Sequence, residues 1–221
     1  MNSYRLLNKA TFLFLLAGGA VAPALGQNAN LSVTVDNVYA AYFGSPASLT
    51  FLGGDGSWNT AESYTFSAVA GSFVYVAAWD QGGLQGFQGV ASGPAGTFRT
   101  NLTDWVATVV PASSLPGWSS AGTAAPNVGS LQTALAGASW QVLLESRSHG
   151  AAPWGGVVSD SATQWVWSDS IEGGTTDGKL VVFRTASPVV SAIPEPSTSL
   201  MMLVGLGVTG LLVRRRLGRD R

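Results

Sequence analysis

Phe73-Val74-Tyr75-Val76-Ala77-Ala78-Trp79 decides the fold class. On an extended backbone successive side chains point to opposite faces. Phe73, Tyr75, Ala77 and Trp79 therefore share one face, and Val74, Val76 and Ala78 share the other. Both faces are apolar, which is the pattern of a central strand covered on both sides. Tyr64 to Phe66 lies just upstream and pairs with it in this reading, through a turn at Ala70-Gly71.

Working outward, further β-branched and aromatic runs lie between dense turn signals such as Gly53-Gly54-Asp55-Gly56, Gly82-Gly83, Gly93-Pro94 and Gly173-Gly174. Leu31 to Val35 alternates, and Val38 to Phe43 is more continuously apolar. Trp105 to Val110 and Gln164 to Trp167 add strands. Asp177-Gly178 before Lys179 to Arg184 has the form of a primed hairpin turn. One short helix is expected over Ser130 to Ala138, with Leu131, Ala134, Leu135 and Ala138 on one face. The Pro- and Gly-rich segment Pro111 to Gly129 reads as a surface loop. The expected fold is all-β, a β-sandwich that could be jelly-roll-like, with one short helix.

The ends have a different composition. Arg5 and Lys9 precede the apolar run Ala10 to Ala17, and small residues at Ala24 and Gly26 frame a cleavage site before Gln27. Residues 1–26 therefore read as a secretory signal peptide, and 27–192 as the exported domain. At the other end Pro194-Glu195-Pro196 is followed by an apolar run from Leu200 to Val213, extendable back to Ser197, and then by Arg214-Arg215-Arg216. A helix over 197–213 would rise about 25 Å at 1.5 Å per residue, slightly short of a hydrocarbon core of about 30 Å. The arginines decide for a single C-terminal transmembrane helix over a buried one, because they make a poor core element and a good cytoplasmic stop.

This ordered tail, residues 193–221, resembles the PEP-CTERM sorting signal: a Pro-Glu-Pro motif, one transmembrane segment and an Arg-rich end. The resemblance makes Pro194, Glu195, Pro196, Arg214, Arg215 and Arg216 the sorting residues. It implies the export machinery and an exosortase-like membrane protease as partners, membrane anchoring through residues 197–213 before processing, and release to the envelope or extracellular matrix. It says nothing of what the domain does.

The domain's chemistry is narrow. The chain has no cysteine, which removes thiol catalysis, thiolate metal sites and disulfides. Between Gln27 and Ala192 four cations, Arg99, Arg147, Lys179 and Arg184, face ten carboxylates, a net charge of about −6. So acidic a domain is a poor partner for nucleic acid. His149 is the lone histidine, and no Gly-x-Ser-x-Gly pattern supports a triad around it. No metal, cofactor or catalytic residue is expected.

All eight tryptophans lie in the domain. Trp79, Trp165 and Trp167 fit a core, whereas Trp118 and Trp154 sit beside Gly and Pro in loops, where an exposed indole can meet a ligand. Carboxylates available for paired acid–base work are Asp36, Asp55, Glu62, Asp80, Asp104, Glu145, Asp169 and Glu172. Asp80 ends the central strand and is the foremost of them, as ligand contact or as a turn cap. The expected function is a non-enzymatic binding or structural module of the cell surface or matrix, associated with exopolysaccharide. The alternative is a secreted carbohydrate-active hydrolase built on two carboxylates.

Overall fold

The computed structural model describes residues 26–176, 178–191 and 205–206. The expected signal peptide apart from Gly26, the Pro-Glu-Pro motif and the Arg cluster lie outside them, as does the expected membrane helix except for Gly205 and Leu206, which are helical. Among the described residues no helix is long and apolar enough to cross a membrane.

The strands are β1 (Gln27–Asp36), β2 (Val38–Ser45), β3 (Ser48–Asp55), β4 (Glu62–Ala68), β5 (Phe73–Trp79), β6 (Gly86–Gly93), β7 (Gly96–Arg99), β8 (Trp105–Val110), β9 (Gln141–Val142), β10 (Glu145–Arg147), β11 (Trp165–Trp167) and β12 (Leu180–Thr185). Within the domain one α-helix, α1, is found among the described residues, over Val128–Ala136. The strands form two six-stranded antiparallel sheets. The first has the order β10-β11-β6-β1-β4, with β7 also pairing β6, and the second the order β3-β2-β5-β12-β8-β9.

The expected faces of β5 are the observed ones. Val74, Val76 and Ala78 join the core between the sheets, against Leu31, Val33 and Val35 of β1, Phe87 of β6 and the β11 tryptophans. Tyr75, Ala77 and Trp79 turn to a second core on the outer side, beneath Leu131 and Leu135 of α1 and Leu115 of the preceding loop. Trp79, Trp165 and Trp167 are fully buried. The chain is thus a β-sandwich with a helical cover over one outer face. A jelly roll winds its first and last strands side by side, but here β1 and β12 lie in opposite sheets.

Two expected hairpins are not formed. β4 pairs β1 in the first sheet, while β5 lies between β2 and β12 in the second. The link between them crosses the core edge instead of folding back. Gly71 turns it with φ +82°, a region that favours glycine, and its N–H donates to the Val190 carbonyl. The physical reason is burial: β4 exposes Ser63, Thr65 and Ser67 on one face and suits an edge, whereas β5 is apolar on both faces and needs strands on each side. Likewise the turn before β12 closes, with Lys179 N–H donating to the Thr176 carbonyl at 2.9 Å. Yet β12 pairs β5 and β8, because the preceding strand β11 belongs to the other sheet.

Candidate functional site

The pairings bring the end of β1, the start of β2, the end of β5 and the start of β6 to one end of the sandwich. Asp36 is opposite Gly86, and Val38 opposite Trp79. Asp36 and Asp80 therefore leave neighbouring strands of opposite sheets at the same end. Both are buried, 7% and 1% exposed.

Asp36 is held from two sides. The Asn37 amide donates to its Oδ1 at 2.6 Å, and the Trp154 indole N–H donates to its Oδ2 at 2.6 Å. Burial pushes the Asp36 carboxyl above the usual carboxylate range. The Trp154 hydrogen bond opposes that shift and the negative charge of Asp80 adds to it. Asp80 Oδ2 accepts the Gly82 N–H at 2.9 Å, the local turn cap weighed as one of its two roles. Gln81 then ties this turn to the loop over α1: its backbone N–H donates to Asn37 Oδ1, and its side chain donates to the Ser120 and Gly122 carbonyls. A shallow recess lies here, lined by Asp80, Gln81, Gly82, Ser120, Ala121 and Gly178.

Trp154 is not the exposed loop residue that its Pro and Gly neighbours suggest. It is 5% exposed and stacks on Trp165, with ring centroids 4.6 Å apart. It reaches this depth because Gly86 lies beneath the pair: a Cβ there would come within 2.9 Å of Trp165 and 3.0 Å of Trp154. Pro153 and Gly155 do set the residue in a turn, but the indole has an anionic partner to seek, and burial next to Asp36 satisfies both groups. Trp118 is half-buried. It packs edge-on against Trp79 at 5.6 Å, and its indole N–H finds no acceptor among the described residues. Trp79 donates to the Gly122 carbonyl at 2.8 Å. The structure therefore gathers Asp80, Trp154 and Trp118 at one end, the first two around Asp36 and the third on the outer face. Asp36 itself was available in the sequence, but nothing in its spacing tied it to Trp154, 118 positions away.

The remaining candidates serve the framework. His149 Nδ1 lies 3.1 Å from the Gln88 amide nitrogen, while Gln88 Oε1 accepts the N–H groups of Val157 and Val158. With Oε1 so used, the amide nitrogen is the donor and Nδ1 the acceptor. Glu145 accepts the Ile171 N–H, Asp104 the Arg99 N–H, and Asp169 the hydroxyls of Thr175 and Thr176. Glu172 pairs with Arg147, Glu62 accepts a hydrogen bond from the Tyr39 hydroxyl, and Asp55 caps Ser57. Among the described residues no group of three or more His, Asp or Glu side chains is placed to hold a metal ion.

The comparisons bear on the tail. Residues 192–216 match the PEP-CTERM protein-sorting motif. The tail is therefore the signal of an exported protein, anchored in the membrane before processing by an exosortase-like membrane protein. No curated protein and no solved structure matches the chain.

Proposed function

We propose that this protein is a non-enzymatic component of the cell surface or extracellular matrix, a binding or structural module associated with exopolysaccharide. The observation that carries the reading is the sorting motif at residues 192–216. It is joined to a sandwich whose acidic side chains and imidazole are engaged in holding loops and turns. Asp36 and Asp80 are covered from solvent by Trp154 and by the 80–82 turn, which suits a rigid binding scaffold better than a cleft open to a substrate chain.

One observation favours the hydrolase. Two carboxylates lie at one end, close enough for the charge of Asp80 to act on Asp36, and the environment lifts Asp36 above its usual range, a pattern used to separate acid from base. The test is to incubate the purified protein with exopolysaccharide, then measure both retention and new reducing ends. The binding reading expects retention without release. Release that disappears in Asp36→Asn would establish the hydrolase instead.

A further inference from the structure

The outer faces of the two sheets are finished differently. That of the second sheet is roofed by α1 and the loop before it. That of the first is roofed only at the Asp36 end, where the segment around His149, Trp154 and Val157 lies on Gln88. Among the described residues nothing covers the other half, and its side chains follow from register. Thr65 of β4, Asn30 of β1, Ser92 of β6 and Thr97 of β7 stand opposite one another across four adjacent strands. At a strand spacing of about 4.8 Å they form a row roughly 14 Å long. Asn28 and Ser67 form a second pair beside it, one pleat away. Asn28, Asn30, Thr65, Ser67 and Thr97 are exposed and Ser92 half-exposed. Thr65 already donates to Asn30 Oδ1 at 2.8 Å, so the row is internally oriented. The β1–β4 and β1–β6 ladders run without a register shift, unlike β2–β3, so this part of the face is regularly pleated.

We infer that this bare half-face is a docking surface for a neutral polysaccharide, an inference that rests on the proposed function above and names its ligand class. Hydroxyl and carboxamide groups both donate and accept, and so match the hydroxyls of an uncharged sugar chain. The charges exclude the acidic alternative. Arg99 Nε is 2.8 Å from Asp160, Arg147 pairs with Glu172 and Glu145, and Arg184 lies between the rings of Phe73 and Trp140 at 4.4 and 4.3 Å. Of the domain's four cations only Lys179 is exposed with no side-chain partner among the described residues, and it precedes β12 in the other sheet. Arg99 stands on this face two residues beyond Thr97, but its guanidinium is already paired with Asp160, so an anionic polymer would meet a domain of about −6 with that one cation neutralised. A second copy of the chain would carry the same negative charge and be repelled.

The experiment is native affinity electrophoresis of the full chain, purified in detergent, through gels containing hydroxyethyl cellulose or dextran as neutral probes and polygalacturonate as the acidic one. The expected result is retardation by a neutral probe and none by polygalacturonate. Asn30→Ala, Thr65→Ala and Thr97→Ala together should weaken neutral binding at least tenfold. Thr97→Lys, which overhangs the row, should do the same, both with unchanged melting temperature and size. Retardation by polygalacturonate alone, or neutral binding that survives both variants, overturns the inference and leaves the proposed function standing. A change of oligomeric size in the variants also overturns it, by making the face a self-contact. Retardation by none of the three polymers removes the inference and the polysaccharide reading together.

Discussion

Trp79 and Trp154 present indoles of equal size to two different cores, and their positions predict similar costs. Trp79 is fully buried and Trp154 is 5% exposed. Truncating a buried Trp to Ala costs about 3–5 kcal/mol, a large part of a domain's stability of roughly 5–15 kcal/mol. Trp154→Ala also strips Asp36 of its indole donor. Chemical denaturation should therefore show both variants destabilised by several kcal/mol; a loss within about 1 kcal/mol for Trp154→Ala, as for a surface residue, would place that indole outside the core. Asp36 adds a pH dependence. Its folded-state carboxyl titrates above its unfolded value because burial disfavours the charge. The folded state then binds the proton more tightly, so this group favours folding at low pH, and that contribution is lost as pH rises through the raised value. Asp36→Asn cannot ionise, so its stability relative to the parent should improve between about pH 4 and pH 7. Melting curves at both pH values check this, and an unchanged difference would contradict the buried-carboxylate assignment.

At the scale of elements, what the sequence made legible was faces. The two-sided burial of β5, the bounds of β8 and the helix with Leu131 and Leu135 inward all follow from periodicity. The helix begins at Val128, two residues before the expected Ser130, because Asn127 caps it by accepting the Ser130 N–H; it ends at Ala136 before Gly137. Partners were not legible. Alternation tells which side chains of β4 are wet and which of β5 are dry, but not that a four-residue link carries the chain from one sheet to the other. The same limit hid the candidate site. Asp80 was conspicuous at a strand end, but its neighbour Asp36 and the cover Trp154 arrive from other strands and loops. The alternating polar residues of β1, Asn28, Asn30 and Ser32, mark one wet face. Only the register with β4, β6 and β7 turns that stripe into a row.

For the whole molecule, the exported sandwich is acidic, while the positive charge at the C-terminus is gathered in the sorting tail. We propose one order of events that this distribution suits: the N-terminal segment acts as the signal that takes the domain out, the arginines stop the tail at the inner face, and the exosortase acts near Pro194-Glu195-Pro196. The most direct test is intact-mass analysis of the protein recovered from inner membrane, envelope and medium, for the parent and for a variant with Pro194, Glu195 and Pro196 replaced by Ala. The account predicts that the parent accumulates outside the inner membrane at a mass beginning near Gln27 and ending near Pro194 to Pro196, while the variant stays in the inner membrane with its tail attached. A parent protein whose dominant form still carries residues 214–221 would contradict it.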